Sequence, residues 1–365
     1  MADCYRGKLR NINKIMDEYQ ERIDKIDAVL ARYLPEVPDA TWLARMGIEN
    51  TVPIALAKNL TQPAWDLLNR GGKRWRPLLM NLVCESLGGG DAALGLSPLV
   101  EFSHNASLIH DDIEDNSDER RGKPAVHVLY GIDTGINSGS FLYFLALACI
   151  KDAAIQAEMK NRIFETWADY ICRLHMGQAM DITWHRDFDS LPCFDEYYCM
   201  CGMKTGCLAR LAAVLGVILS PLPASLQAAL QTDIGRAAEK LGIGFQILDD
   251  VKNLTHGIPG KKRGDDIVEG KKSLPLLLYL YANPAKKAFV VRCFTAARKT
   301  GTAAPEVEEL ISELSSGGFL SQAQEQGLRL ITEARELFVH AFDTAGQAVD
   351  ESGKQALIGL LERIS

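Results

Sequence analysis

Apolar residues recur at three- and four-residue intervals over most of the chain, and strictly alternating runs are nearly absent. That periodicity predicts helices rather than strands. Ile12, Ile15, Met16, Tyr19, Ile23, Ile26, Val29 and Leu30 mark an amphipathic helix over residues 10–34, and Pro35, Pro38 and Pro53 punctuate the stretch after it. Further helices are predicted over residues 65–87, ending at Gly88-Gly89-Gly90, and over 96–119, 136–157, 161–184, 194–219 and 225–254. A Gly/Lys/Pro loop at 257–264 precedes a return to helix from residue 273. No repeat, low-complexity segment or flexible linker divides the chain. The expected fold is all-α: a single large helical domain of a dozen or so helices over residues 54–365, preceded by an N-terminal helical extension, residues 1–53.

Two acidic clusters stand out against this pattern. Asp111-Asp112-Ile113-Glu114-Asp115 and Asp249-Asp250-Val251-Lys252-Asn253 each set oxygen-bearing side chains at i, i+1 and i+4, toward the C-terminal end of a predicted helix. Positions i and i+4 share a helix face, so Asp111 projects with Asp115 and Asp249 with Asn253. Carboxylates this close repel, and the negative end of the helix dipole adds to the repulsion. Mg2+ relieves it, characteristically bridging one or two carboxylates to phosphate oxygens and water. One such pentad alone is more often a solvated helix face. The cations nearby change the balance: Lys73, Arg74 and Arg76 in GGKRWRP, Arg120-Arg121 after the first cluster, and Lys261, Lys262, Lys271 and Lys272 after the second. Metal-binding carboxylates beside a surplus of Lys and Arg are what a site for two phosphorylated ligands needs.

Polar residues also interrupt otherwise apolar helices. His104 lies seven residues before Asp111, about two turns along the same face; by itself it would read as a satisfied core histidine. LHMGQAMD (residues 174–181), KTG (204–206) and Gln246, three residues before Asp249, put amides, a hydroxyl and an ammonium in apolar surroundings. Unpaired, they would be costly in a core. A buried polar ligand accounts for all of them.

Composition narrows the class. With 47% hydrophobic and 24% charged residues, the chain of 365 residues has ample material for a globular core. The net charge of -7 and the lack of a basic stripe interleaved with aromatics argue against a nucleic-acid partner. Nine cysteines in no disulfide-framework spacing suggest a reducing compartment, and the C-x5-C-x-C-x5-C run from Cys193 to Cys207 is no recognised zinc spacing. The N-terminus lacks an apolar h-region, and the apolar stretches 141–150 and 211–219 are too short to span a bilayer. A cytoplasmic protein with no transmembrane segment is expected.

In combination, GGKR-x-RP, H-x6-DDxxD-x4-RRG, GQ-x2-D, KT, FQ-x2-DD-x2-N and GK-x8-GK resemble the motifs of all-trans polyprenyl diphosphate synthases, over roughly residues 65–280. The stretch from His104 to Gly131, with INSGSFLYFLAL after it, is most similar to geranylgeranyl diphosphate synthases of the eukaryotic and fungal type. The resemblance implies an isoprenoid synthase fold, with central helices around a deep cavity, and a homodimer. It implies an enzyme that condenses isopentenyl diphosphate with an allylic diphosphate, using Mg2+ (three ions expected) bound with the diphosphate. By matching position, Asp111, Asp112, Asp115, Asp249 and Asp250 are the metal-site residues. Arg120, Lys204, Lys261 and Lys271 contact the allylic diphosphate. Lys73, Arg76, His104 and Arg121 bind isopentenyl diphosphate. Gln178, Thr205 and Gln246 line the region where the carbocation forms. Asn253 departs from the third Asp of many family members, and an amide oxygen is the weaker metal ligand.

Product length depends on cavity depth. A helical turn rises about 5.4 Å, close to one isoprene unit. One turn before Asp111 lie Ala106 and Ser107, both small, where an aromatic residue would stop the chain near C15. Tyr143, Phe144 and His175 match the positions that close the tunnel in this subtype, although such aromatics are more usually core. C20 is the expected product, with C15 and C25 or longer as alternatives. A terpene cyclase would keep the first acidic motif but replace the second and have no use for GGKRWRP. A non-catalytic partner subunit would be expected to have lost acidic ligands. A metal-binding structural protein would leave the basic residues unexplained.

Overall fold

The helical periodicity is realised almost everywhere in the computed structural model, which describes residues 2–48, 52–257 and 262–364, with side chains from Glu18 onward except that of Gln347. In chain order the helices are α1 (Ala2–Tyr33), α2 (Ala40–Arg45), α3 (Ile54–Asn69), α4 (Trp75–Ser86), α5 (Ser97–Glu114), α6 (Val126–Tyr130), α7 (Ile132–Ala146), α8 (Ala148–Asp152) and α9 (Ala157–Arg186). They continue as α10 (Phe194–Cys201), α11 (Cys207–Ile218), α12 (Ala224–Thr255), α13 (Asp265–Glu269), α14 (Leu274–Ala282), α15 (Lys287–Thr300), α16 (Pro305–Ser316), α17 (Phe319–Ala345) and α18 (Glu351–Ile364). Among the described residues the sole strand pairing is the short antiparallel ladder of β1 (Glu119–Arg120) with β2 (Lys123–Pro124).

Three predicted helices are interrupted or end early, two of them for a backbone reason. Residues 65–87 divide at GGKR, where Gly71 and Gly72 take φ of +86° and +148° and Arg74 enters α4 from the left-handed region at +47°. Only glycine adopts such angles without steric cost. The helix expected over 96–119 stops at Glu114, because Asn116 at φ +54° terminates it as a left-handed residue just past the cap. The chain then reverses through Arg121 and Gly122, both at positive φ, as a two-residue hairpin turn requires. Residues 136–157 break after Ala146 into the short α8.

The main core joins side chains from both ends of the chain: Ile26 and Leu30 of α1, Leu78 of α4, Leu99 of α5, Leu211 of α11, Leu230 of α12, Phe338 of α17 and Leu357 of α18 are all buried in it. The N-terminal residues from Tyr19 to Leu34 are thus packed into the helical body. A smaller core under α14, α15 and α16 includes Tyr279, Phe294 and Leu310. Residues Phe194–Ile218 are long and apolar enough to cross a membrane by length and composition, but 78% of that window is buried inside the fold. Its hydrophobicity serves the core.

Candidate active site

A cavity of about 710 Å³ opens between α4, α5, α9, α10, α11 and α12, within the size range of small-molecule sites. The C-terminal ends of α5 and α12 bring the two acidic motifs to it, with Asp111 and Asp249 both in its wall. Close backbone approach packs α9 and α12 against the segment between α10 and α11 beside it. Any Cβ at Gly177 of α9 would collide with the backbone nitrogen of Lys204, and one at Gly242 of α12 would lie 2.6 Å from the Gly206 Cα. Between those glycines, residues Gly202–Gly206 form a single π-helical turn joining α10 to α11. Such turns are frequent at functional sites, and this one turns Lys204 and Thr205 into the cavity wall.

The acidic side is dense with paired charge. Asp111 Oδ1 accepts from Lys204 Nζ at 3.1 Å and from Gln178 Nε2 at 3.0 Å, while Arg120 Nη2 lies 3.3 Å from its Oδ2. Lys204 also donates to Asp181 at 2.5 Å. Burial tends to lower the Lys204 pKa, but Asp111 and Asp181 outweigh it and hold the ammonium charged. Asp112 is turned away from the cavity: its side chain is fully buried and accepts from Arg120 Nε at 2.7 Å. Asp115 caps α5 with its side chain fully buried, 3.5 Å from Lys271 Nζ and 3.9 Å from His185 Nε2. Burial, reinforced by Asp111, pushes its carboxyl up to about 7. On α12, Thr205 donates to Gln246 and Gln246 to Asp250, both at 2.7 Å. Burial and the neighbouring Asp266 raise the Asp250 carboxyl well above its usual range.

The opposite wall is cationic. Lys73, exposed at the GGKR loop, lies over the Phe245 ring. Arg76 is buried against the Trp75 ring and donates to His104 Nε2 at 3.3 Å, so the histidine accepts there as the neutral ring. Burial, with Arg76 beside it, holds His104 well below its ordinary value. The Nε of Arg76 is buried with no hydrogen-bond partner. Burial lowers both Arg76 and Arg121 to about 10, which leaves them charged at neutral pH. An incoming anion relieves all three conditions at once: orphaned donor, desolvated cations, mutual repulsion. Arg121 also donates to the carbonyls of Leu67 and Gly71, locking the loop to the hairpin.

Deeper along α5, Ser107, Leu108 and His110 line the cavity, and Tyr143 closes it between the rings of His110 and His175, at centroid distances of 5.9 and 5.4 Å. Two expected tunnel residues lie elsewhere. Ala106 is buried in the core, on the far side of α5 from the cavity wall, and Phe144 is 71% exposed on the outer face of α7. One residue of register on a helix rotates the side chain by about 100°, so Tyr143 and Phe144 cannot share the floor. Lys261 lies outside the described residues.

The comparisons with known proteins agree with this geometry. The polyprenyl synthetase family model matches residues 57–314. This chain belongs to the polyprenyl synthetase family. It is 32% identical over 305 residues to a geranylgeranyl pyrophosphate synthase of Apiospora sacchari, covering 82% of this chain and 86% of that one. It is 30% identical over 306 residues to a geranylfarnesyl diphosphate synthase of Aeropyrum pernix, covering 82% and 91%. Its fold superposes on the crystal structure of a geranylgeranyl pyrophosphate synthetase from Pyrococcus horikoshii with a TM-score of 0.77, at 27% identity, covering 97% and 98% of the two chains.

Polyprenyl synthetases as a family use Mg2+, and the residues here fit it. Both oxygens of Asp115 are buried without a hydrogen bond, which a cation would satisfy. Among the described residues no three acidic, His or Cys side chains converge enough to hold an ion alone. An ion here would have to be completed by substrate oxygens and water. Asp111 and Asp249, in the cavity wall, and Asp115, its side chain buried at the end of α5, could each contribute a ligand to such ions. Several working residues escape reading from the motifs alone. Arg74 bonds Asp27 of α1 at 2.8 Å and Glu101 of α5 at 2.9 Å, and so fixes the GGKR loop from both sides. Tyr197 reaches Asp250 at 3.4 Å. Of these, only the charge of Arg74 within GGKRWRP gave a signal.

Proposed function

We propose that this prenyltransferase joins isopentenyl diphosphate to an allylic diphosphate, head to tail and all-trans, and releases geranylgeranyl diphosphate (C20) and inorganic diphosphate. One observation supports the reading above the others: a carboxylate-and-lysine wall and an arginine–histidine wall face one cavity, whose far end holds Leu108 and Leu174 and is closed by the Tyr143 ring. Mg2+, when bound, neutralises the charge of the departing diphosphate. Lys204 and Lys271 add fixed positive charge beside it, preorganised by Asp111, Asp181, Asp115 and Glu269. The allylic C–O bond breaks with its electron pair going to the diphosphate. The isopentenyl double bond, presented by Lys73, Arg76, His104 and Arg121, attacks the allylic carbon, and the resulting cation loses a proton to the diphosphate oxygen. Thr205 donates its hydrogen to Gln246, which leaves hydroxyl lone pairs to face the developing cation. Three Mg2+ ions bound with the diphosphate are part of this proposal.

The floor of Tyr143 and His175 supports C20. C25 is the second reading, favoured by the loss of Phe144 from the floor and the likeness to a geranylfarnesyl synthase. A homodimer is the proposed assembly: α7 exposes Ile132, Ile136 and Phe144, and α9 exposes Phe164 and Met176, an apolar surface of the kind that marks an interface. We place the protein in the cytoplasm, in keeping with its eight described free cysteines. Incubation with Mg2+, isopentenyl diphosphate and each of the C5, C10 and C15 allylic diphosphates tests the reading, with product length read by mass spectrometry. Consumption of an allylic diphosphate without isopentenyl diphosphate, yielding a cyclised hydrocarbon, would replace it with a cyclase. Sedimentation at the mass of one chain would remove the dimer.

A further inference from the structure

The second acidic motif ends at Asn253, where the first carries a carboxylate. Asn253 is buried, and both ends of its amide are engaged. Nδ2 donates to the Lys262 carbonyl at 3.1 Å, and Oδ1 accepts the backbone N–H of Asp266 at 3.2 Å. Its own carbonyl accepts the Gly264 N–H at 3.1 Å. Because one partner is a carbonyl and the other an N–H, the orientation of the amide is settled by its surroundings. An aspartate of the same shape could keep the bond to Asp266 but would set a second acceptor against the Lys262 carbonyl.

The segment held in this way ends in Lys271, a cation of the cavity wall that reaches the first acidic motif. The Asp266 N–H lies in the first turn of α13, where backbone donors have no partner within the helix. From α13, Glu269 and Asp266 hold Lys271 Nζ at 2.6 and 3.7 Å, and the Asp266 carbonyl accepts the Lys271 N–H at 2.9 Å. Lys271 then reaches Asp115 at 3.5 Å. We propose that Asn253 is a positioning residue and no metal ligand: it docks α13 on α12 so that Lys271 reaches Asp115 of the first motif from the cavity wall, beside the allylic diphosphate. The inference rests on the proposed function for the identity of that ligand.

The test uses full-length protein with Asn253→Ala, Asn253→Asp, Lys271→Gln and the double variant Asn253→Ala/Lys271→Gln. Without ligand, Asn253→Ala, which loses both side-chain hydrogen bonds, should speed amide exchange at Gly264 and Asp266. Asn253→Asp, which keeps the acceptor for the Asp266 N–H but loses the bond to Lys262, should speed it at Gly264 about tenfold, the loss of one buried hydrogen bond. Mg2+-dependent binding of inorganic pyrophosphate, followed by calorimetry, should weaken by about tenfold in each. Asn253→Asp should be no better than Asn253→Ala, with the half-saturating Mg2+ unchanged. The KM for the allylic diphosphate should rise while that for isopentenyl diphosphate stays, a split that general loosening of the fold would not produce. In the Lys271→Gln background Asn253→Ala should add almost nothing, because both act through one cation. Tighter Mg2+ binding by Asn253→Asp, unchanged exchange, or fully additive losses would each overturn the proposal. Asn253→Asp, which keeps the shape, carries the test and replaces Asn253→Ala in the cycle if the alanine variant does not fold. Failure of the wild-type protein to elongate any allylic diphosphate would instead sink the proposed function and leave the exchange result standing.

Discussion

The acidic motifs of α5 and α12 share a spacing and a place near a helix C-terminus, yet the fold uses them differently. On α5, Asp111 faces the cavity among Lys204, Gln178 and Arg120, while Asp112 turns into the protein as the partner of Arg120. On α12, Asp250 remains in the cavity wall at the end of a hydrogen-bonded chain from Thr205 through Gln246, and Asn253 secures the segment leading into α13. The fifth position differs most. Asp115 is buried with both oxygens lacking a hydrogen bond, whereas both ends of the Asn253 amide are engaged. Equal spacing along a helix sets which residues share a face, but the neighbours on that face set the chemistry of each.

The largest effects should separate Asp111 from Asp112. Asp111→Ala is expected to lower kcat/KM on the order of a thousandfold, as loss of a preorganised group at the leaving diphosphate implies, with a smaller loss of stability than at Asp112, because Lys204 keeps Asp181 and Arg120 keeps Asp112. Asp112→Ala should act through the fold, since it leaves Arg120 buried without its main partner, a change that costs about 3–5 kcal/mol in comparable buried pairs. Denaturant titration and steady-state kinetics on both variants check this. Equal stability losses would erase the distinction drawn between the two positions.

Across the cavity, Arg76→Ala should raise the KM for isopentenyl diphosphate roughly ten- to a hundredfold, about 1.5–3 kcal/mol for one charge-assisted contact, and leave the allylic KM nearly unchanged. Equal rises in both constants would mean that the two walls do not serve separate diphosphates. A smaller effect concerns protons at Asp115. Its carboxyl is pushed up to about 7, so protons compete with Mg2+ below that pH and not above it. Mg2+ affinity should therefore weaken by up to about tenfold per unit as pH falls below 7, and calorimetric titrations at pH 6, 7 and 8 read it directly. A flat profile would show that Asp115 does not bind metal.

The finest comparison is between the neighbours Tyr143 and Phe144. Tyr143→Ala should lengthen the product by opening the floor, with each further buried CH2 gaining about 0.8 kcal/mol, and Ser107→Phe should shorten it toward C15. Phe144→Ala should leave product length as it was, since its ring points outward. Product distributions of the three variants decide; lengthening by Phe144→Ala would place the tunnel on the other side of α7.

Much of this was legible in order along the chain. Helical class, the two acidic motifs and their cationic neighbours arise from local rules, because a helix repeats every 3.6 residues and carboxylates at i and i+4 must meet. The short breaks were harder to foresee, for they depend on left-handed residues such as Arg74 and Asn116 that are not glycine. What the amino-acid sequence by itself determined, then, is the all-α class and the set of groups that can hold diphosphates and metal. Only the tertiary structure decided which carboxylates reach the cavity, that Arg74 ties α1 to the GGKR loop, that Phe144 lies outside the floor and that Asn253 bonds to the first turn of α13. The physical reason is that charge and hydrogen-bonding capacity belong to a residue, whereas burial and partners belong to the helices that pack against it.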